Sequence, residues 1–117
     1  MPGRYGVASS RLRALIVTPT YQEAANIGEF LTRVRAAVPE ADVLVVDDGS
    51  PDGTADLAEA EGRRSGGVEV LRRPEKAGLG SAYRAGFAVG IERGYDVLVQ
   101  MDADLSHDPA ALPALPQ

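Results

Sequence analysis

The feature of this sequence that most constrains its fold is a regular alternation of short apolar runs with longer segments of helical periodicity. Short, partly β-branched runs are typical of strands buried on both faces. Such runs lie within residues 12–18, 43–46, 68–71 and 97–101. Because strands that alternate with helices form parallel sheets, we predict an α/β fold with a Rossmann-like open parallel sheet in strand order 3-2-1-4.

Breaker and capping residues set the expected limits of the helices. The first helix is predicted from Glu23 until Pro39 closes it, and the second from a cap at or just before Thr54 to about Arg64. The third is predicted to stop at Gly94. Apolar residues mark one face of the first helix and one face of the third, at Ile27, Phe30, Leu31, Val34 and Val38 and at Leu79, Ala82, Tyr83, Phe87 and Ile91.

Composition excludes several classes of function. The chain has a net charge of −5 and no cysteine. Its arginines are scattered, so nucleic acid is not an expected partner, and disulfides, zinc–thiolate sites and thiol catalysis are excluded. No apolar run approaches the ~20 residues of a membrane span. Residues 1–11 lack an apolar segment of signal-peptide length, and we expect them to form a disordered lead.

Unusual polar segments follow three of the predicted strands, at residues 19–23, 47–50 and 102–104. Ligands of open parallel sheets bind beyond the carboxyl ends of the strands. With strand order 3-2-1-4, all three segments would line one crevice. Asp-Asp-Gly-Ser alone is most often a turn, and Asp-x-Asp alone often arises by chance. Their convergence, rather than any one motif, indicates a binding site.

Carboxylates at such a site favour a phosphorylated ligand that is held through a cation. Two carboxylates do not bind a diphosphate directly, but they can hold Mg²⁺ or Mn²⁺, which bridges the phosphate oxygens. Other carboxylates can accept hydrogen bonds from base N–H groups and ribose hydroxyls. Asp48 is therefore a candidate for the base, and Asp102 for the ribose or phosphate side. His107, the one histidine, is interpreted as a solvated loop residue, with a place near the metal as the alternative.

The segment Gly78-Leu79-Gly80 raises the alternative of a dinucleotide-dependent dehydrogenase. Tyr83 occupies the position of the third glycine in the dinucleotide fingerprint. The glycines also follow the third strand, whereas the fingerprint belongs in the first strand–helix turn. Both departures argue against a dehydrogenase.

Four stretches together resemble family 2 glycosyltransferases of GT-A fold, and more narrowly the dolichol- or polyprenol-phosphate mannose synthases. They are residues 19–23, 46–54, 78–83 and 101–107. The resemblance runs from about residue 12 to 109. It implies that residues 12–117 form the nucleotide-sugar-binding, N-terminal half of a GT-A fold. Since family members continue well past Asp-x-Asp, we expect the chain to be incomplete, with acceptor-side residues beyond Gln117.

The resemblance also implies residue roles in nucleotide binding. Pro19, Tyr21 and Glu23 would contact the nucleotide, and Val46 and Asp48 would bind its guanine end.

Further roles follow from the resemblance for the residues around Asp-x-Asp. Asp102 and Ala103 would hold the ribose–diphosphate region. Asp104 would also contact the nucleotide-sugar and ligate the metal, with Ser106 as a second ligand. Asp102 and Asp104 are the expected catalytic residues.

The implied reaction is an inverting, metal-dependent transfer of mannose from GDP-mannose to a polyprenyl phosphate. The implied location is cytoplasmic, at the inner face of the cell membrane, through peripheral contact or a separate membrane-anchor protein. Two alternatives stay open. One is a related enzyme that transfers another sugar, such as glucose from a UDP donor. The other is a non-catalytic nucleotide-binding remnant.

Overall fold

The computed structural model of the chain describes residues 12–103. Its strands are β1 (Ala14–Thr20), β2 (Asp42–Asp47), β3 (Val68–Arg72) and β4 (Val97–Gln100), and its helices are α1 (Ile27–Ala37), α2 (Thr54–Ser65) and α3 (Leu79–Glu92). The predicted lead at 1–11 and the predicted site residues Asp104, Ser106 and His107 lie outside the described residues.

The strands form one parallel sheet in the order β3-β2-β1-β4. This confirms the predicted α/β fold and the strand order 3-2-1-4. The β1–β2 ladder continues to the pair Thr20 and Asp47, whereas the β1–β4 ladder ends at Val17 and Gln100. The central position of β1 therefore brings the ends of β2 and β4 to either side of the residues that follow it.

Alternate residues of β1 and β2 face opposite sides of the sheet, as the pleat requires. On one side, Ile16 and Val45 pack with the buried Phe30 and Leu31 of α1 and with Ala58 of α2. The other side packs against α3 in a second cluster, whose buried members are Leu15, Val17, Leu44, Val46 and Ala82. Helices thus cover both faces of the described sheet, which is why its strands read as continuous apolar runs.

The packed face of α3 agrees with the predicted one at Ala82, Tyr83 and Phe87 and differs from it at the two ends of the helix. Leu79 and Ile91 are 59% and 70% exposed, so the prediction that they lie on the packed face was wrong. Ala82, Gly86 and Gly90 are the buried residues of this helix. They are four residues apart and form a smooth stripe. A Cβ at Gly86 would lie 2.3 Å from Val17 Cγ1, so only glycine permits this approach of helix to sheet.

Two element limits also differ from prediction. β1 continues through Pro19 to Thr20, past the first apolar run, which lies within residues 12–18. The Val17 carbonyl accepts the Met101 N–H, and the Thr20 carbonyl accepts the Asp48 N–H. Successive residues of β1 thus direct their main-chain groups to β4 and to β2 in turn, and the nitrogen of Pro19 is on the β4 side. Because β4 has ended at this level, the missing N–H of Pro19 breaks no ladder bond.

The first helix begins at Ile27 rather than at the predicted Glu23. The Glu23 carbonyl accepts bonds from the N–H groups of Asn26 (3.0 Å) and Ile27 (2.8 Å), and these close a turn before the helix. The Ala24 N–H donates to Asp52 Oδ2 instead. Contacts with the β2–α2 loop therefore shape residues that periodicity alone assigned to the helix.

Candidate functional site

A cavity of about 300 Å³ lies at the carboxyl ends of the parallel strands. Ligand cavities commonly have volumes of roughly 300 to 1,000 Å³. The lining residues come from the ends of β1, β2 and β4, the β1–α1 and β3–α3 loops and the first turn of α3: Pro19, Thr20, Tyr21, Glu23, Asp48, Lys76, Gly78, Leu79, Ala82, Asp102 and Ala103. The prediction that the three polar strand-end segments converge on one crevice is confirmed.

Asp47 and Asp48 are adjacent in sequence but have different roles in this structure. The buried carboxylate of Asp47 accepts hydrogen bonds from Thr20 Oγ1 (2.7 Å), the Ser50 N–H (3.0 Å) and Ser50 Oγ (2.7 Å). These bonds fix the turn after β2 and tie it to the end of β1. Asp47 thus supports the loops, whereas Asp48 lines the cavity.

Side chains of the β2–α2 loop also hold the β1–α1 loop that carries Tyr21. Consecutive backbone N–H groups of the first loop donate to oxygens of the second. The pairs are Gln22 with Ser50 Oγ (2.8 Å), Glu23 with Thr54 Oγ1 (2.9 Å) and Ala24 with Asp52 Oδ2 (3.2 Å). Gln22 has a φ of 57°, a conformation that non-glycine residues rarely adopt. The polar residues after β2 therefore fix the backbone conformation of the neighbouring loop through these three hydrogen bonds.

Asp52 also accepts hydrogen bonds at the start of α2. Its Oδ1 accepts bonds from the N–H (3.1 Å) and the hydroxyl (2.5 Å) of Thr54, at the start of α2. The hydroxyl bond is the main reason that the pKa of Asp52 is lowered. The predicted cap at or just before Thr54 is thus supplied from Asp52, with Gly53 as the N-cap residue.

Asp48 is held by a guanidinium that the sequence analysis did not single out. Arg73 Nε lies 2.7 Å from Asp48 Oδ1, and Arg73 Nη2 lies 3.0 Å from Oδ2. The Arg73 hydrogen bonds lower the pKa of Asp48 against the opposing effect of burial. The same contact raises the pKa of Arg73. Asp48 is therefore a fixed anion at the cavity surface.

Two further contacts connect the loops around the cavity. Tyr83 donates its hydroxyl hydrogen to Asp102 Oδ1 (2.9 Å), which joins α3 to the residue that follows β4. Lys76 Nζ lies 4.8 Å from the centre of the Tyr21 ring, a cation–π contact between the β3–α3 and β1–α1 loops. An aromatic surface, a cation and the carboxylates of Glu23, Asp48 and Asp102 thus meet in one cavity, a set that suits a nucleotide.

The structure brings together six of the residues predicted to bind a nucleotide-sugar: Pro19, Tyr21, Glu23, Asp48, Asp102 and Ala103 all line the cavity. Val46 does not, because its side chain is buried in the cluster beneath α3. Asp104 and Ser106, the predicted metal ligands, lie outside the described residues.

Sequence reasoning missed two polar residues of this region, Lys76 and Arg73, and named Thr20 only as part of the segment 19–23. Thr20 and Lys76 line the cavity, and Arg73 fixes Asp48. Lys76 and Arg73 lie at the carboxyl end of the third strand, where a parallel sheet places its ligands. Their position was the signal available in the sequence, but no acidic motif follows this strand, so neither residue was selected.

The match to known proteins agrees with this geometry. The model of the family described as "Glycosyl transferase family 2" matches residues 15–116. The chain belongs to this family. Part of the sequence resemblance, that to family 2 glycosyltransferases, is thereby confirmed. No helix within the described residues 12–103 is long and apolar enough to cross a membrane.

Relatives in this family include mannosyltransferases. The chain is 57% identical over 104 residues to an undecaprenyl-phosphate mannosyltransferase of Micrococcus luteus, covering 89% of this chain and 43% of the relative. It is 51% identical over 107 residues to a polyprenol monophosphomannose synthase of Mycolicibacterium smegmatis, covering 88% and 39%. A dolichol-phosphate mannosyltransferase of Pyrococcus furiosus is 39% identical over 106 residues, with 89% and 29% covered. The chain thus spans less than half the length of each of these relatives.

Solved structures support the fold. A mannosyltransferase from Pyrobaculum calidifontis, in complex with GDP-Man and Mn²⁺, superposes with a TM-score of 0.71 at 25% identity, covering 82% of this chain and 28% of that one. TarS of S. aureus superposes with a TM-score of 0.58 at 20% identity, covering 80% and 28%, and shows the fold alone. The predicted GT-A type of open sheet is confirmed.

Proposed function

We propose that residues 12–117 form the nucleotide-sugar-binding part of a metal-dependent mannosyltransferase, which transfers mannose from GDP-mannose to a polyprenyl phosphate with inversion. The observation that carries the proposal is the cavity at the carboxyl ends of β1, β2 and β4, which collects Tyr21, Asp48 and Asp102. The names of the three relatives, and the GDP-Man and Mn²⁺ bound to the Pyrobaculum protein, support this choice of donor and acceptor.

The nucleoside would bind between the β1–α1 loop and the end of β2. Pro19, Tyr21 and Glu23 offer an apolar and aromatic surface with one carboxylate. The fixed anion of Asp48 can accept hydrogen bonds from the N–H groups of guanine. Because the Val46 side chain is buried, its predicted contact with the nucleotide would be through the main chain.

The ribose–diphosphate region would lie at Asp102 and Ala103, with Asp104 following. Asp102 already presents a carboxylate at the cavity, and carboxylate and hydroxyl oxygens are ligands that Mg²⁺ and Mn²⁺ accept. Asp104 would hold the ion, with Ser106 as a second ligand. When bound, the ion would neutralise the charge that develops on the leaving nucleoside diphosphate.

The acceptor requires little activation by the protein. A phosphate monoester has a second pKa of about 6, so the acceptor is anionic at neutral pH and is already a nucleophile. The chain's own contribution would be to position the donor and to hold it away from competing orientations. The loops around Tyr21 and Asp48 suit this role, because hydrogen bonds within the chain hold them in place. We place the protein at the cytoplasmic face of the membrane, where a polyprenyl phosphate would be reached through peripheral contact or a membrane-anchor protein.

Titration calorimetry of the 117-residue chain with GDP, UDP and NAD, each with and without Mn²⁺, tests the proposal. We expect GDP to bind in the presence of Mn²⁺, UDP to bind more weakly, and NAD to give no heat. Asp104→Asn should weaken the Mn²⁺-dependent binding of GDP by about tenfold or more, as loss of a metal-site group commonly does.

The matched control is Asp56→Asn, which removes an exposed carboxylate on α2 and should leave the affinity unchanged. Unchanged Mn²⁺-dependent binding in Asp104→Asn would contradict the metal assignment. Equal affinity for UDP and GDP would contradict the mannose donor and favour the UDP-sugar alternative.

A further inference from the structure

We propose that Arg73 is a positioning residue for nucleotide recognition, which fixes the Asp48 carboxylate and the first turn of α3 on either side of the cavity. The inference rests on the proposed function, in which Asp48 accepts hydrogen bonds from the base. It adds a residue that the sequence motifs did not mark and that does not line the cavity itself.

The guanidinium of Arg73 contacts two separate parts of the chain. Nε and Nη2 donate to the two carboxylate oxygens of Asp48, while Nη1 donates to Ser81 Oγ (2.9 Å) and to the Ser81 carbonyl (3.2 Å). The Arg73 and Asp48 side chains are only 16% and 6% exposed. A planar group that donates in several directions from a sheltered position holds its partners in one relative orientation.

This connection lies where regular structure ends. The β2–β3 ladder finishes at the pair Asp47 and Arg72, and the Arg73 N–H donates to the Asp47 carbonyl (2.8 Å) just beyond it. Past that bond, the side chain of Arg73 continues the connection towards α3. Gly78, Leu79 and Ala82 of this turn line the cavity. Arg73 therefore sets the distance between the Asp48 side of the cavity and the α3 side.

The neighbouring arginine provides an internal contrast. Arg72 contacts Asp56 and Glu59 of α2 on the outer surface, and its side chain is 50% exposed. Exposed ion pairs of this kind add little to stability. The two arginines have the same chemistry and adjacent positions, but only Arg73 reaches the site.

The bidentate contact leaves Asp48 able to recognise a base. A carboxylate has about four acceptor positions; Arg73 uses one on each oxygen, and the Ala77 N–H donates to Oδ2 over a longer distance of 3.4 Å. Lys76 adds positive charge nearby. The open position on Oδ1, and Oδ2 where the Ala77 bond is long, suit a base edge with adjacent N–H donors, such as N1–H and the 2-amino group of guanine. Hypoxanthine has the first donor but lacks the second, so inosine diphosphate (IDP) measures how well Asp48 is oriented.

The test compares GDP and IDP binding, in the presence of Mn²⁺, by the parent chain and by Arg73→Gln, Arg73→Lys and Arg72→Gln. We expect the parent to prefer GDP. Arg73→Gln should weaken GDP binding by roughly tenfold, since a buried charge loses its partner, and should bring the GDP-to-IDP affinity ratio close to one. Arg73→Lys keeps the positive charge but loses the planar group that bonds both oxygens of Asp48. Its GDP-to-IDP affinity ratio should therefore lie between those of Arg73→Gln and the parent. Arg72→Gln should behave as the parent.

A merely structural role predicts another pattern. Arg73→Gln would then weaken GDP and IDP binding equally, and the ratio would be unchanged, which would overturn the inference. Arg73→Lys keeps this test valid if Arg73→Gln does not fold. In a chain that already carries Asp48→Asn, Arg73→Gln should cause little further loss of GDP affinity. If the two substitutions instead weaken GDP binding additively, the inference is also overturned. Failure of the parent to bind GDP would overturn the proposed function together with this inference.

Discussion

The two ends of the β-sheet each carry a cavity of similar size, yet their surroundings differ. The cavity at the carboxyl ends measures about 300 Å³, and the one at the amino ends about 290 Å³. Both contain carboxylates, a basic side chain and a tyrosine. The second is lined by Leu15, Asp42, Val43, Leu44, Gly67, Val68, Glu69, Arg93 and Tyr95.

The difference lies in how the charged groups are held. At the carboxyl end, Asp47 and Asp48 are buried and fixed by directed hydrogen bonds from neighbouring loops. At the amino end, Arg93 and Glu69 form an ion pair whose side chains are 49% and 66% exposed. Volume therefore does not distinguish the two ends. Anions fixed by directed hydrogen bonds within the chain do distinguish them, because they offer a ligand a preorganised surface.

The largest expected contrast concerns stability. Asp47→Ala should lower the free energy of unfolding by about 3 kcal/mol, because Ser50 and Thr20 lose a charged acceptor in a buried place. Asp42→Ala, at the other end, removes the hydrogen bond from Tyr95 and should cost about 1 kcal/mol. Denaturant unfolding monitored by circular dichroism measures both values. Equal losses would mean that the hydrogen bonds to Asp47 together contribute no more to stability than the single hydrogen bond to Asp42.

The next contrast concerns binding. Asp102→Asn should weaken Mn²⁺-dependent GDP binding by about tenfold, or about 1.4 kcal/mol, because the neutral amide is a weaker partner for the ribose–diphosphate region and for a nearby cation. Glu69→Gln removes a carboxylate from the amino-end cavity and is the matched control. Calorimetry should show parent-like affinity for it. A comparable loss of GDP affinity in Glu69→Gln would mean that GDP binds at the amino ends of the strands, which would contradict the proposed site.

The smallest contrast is the response to pH. The pKa of Asp48 is lowered mainly by the Arg73 bond, so its contribution to stability is present above its ordinary value of 3.8 and is lost as the pH falls through the lower folded value. Burial and then the Asp42 bond raise the pKa of Tyr95, so its contribution is present below its ordinary value of 10.0 and is lost as the pH rises through the higher folded value.

Unfolding free energies measured from pH 2 to 12, values that lie about two units beyond these ordinary pKa values, separate the two contributions. Arg73→Gln should reduce the decline on the acid side, and Tyr95→Phe should reduce the decline on the alkaline side. If Tyr95→Phe alters only the acid side, the assignment of the alkaline decline to the amino end is wrong.

Much of the fold could be predicted from local patterns. Apolar runs located β1 to β4, and glycine and proline located most helix limits, because these signals act over a few residues. The exceptions have tertiary causes. Pro19 lies within β1 because β4 ends beside it, and the residues before Ile27 form a turn that the Ala24 N–H ties to Asp52 of the neighbouring loop. On α3, Ala82 was predicted to be packed, but Gly86 and Gly90, which complete its buried stripe, were missed because periodicity searches favour large apolar residues.

The sequence by itself determined the order of strands and helices and the acidic segments that follow β1, β2 and β4, since both are written in short contiguous stretches. Only the tertiary structure decided which of two adjacent aspartates faces the cavity and which of two adjacent arginines holds that aspartate. Alternation along a strand turns neighbours to opposite sides, and the packing of distant elements decides what each side meets. Asp48 and Arg73 are 25 residues apart in sequence and 2.7 Å apart between Oδ1 and Nε, a relation that no local pattern contains.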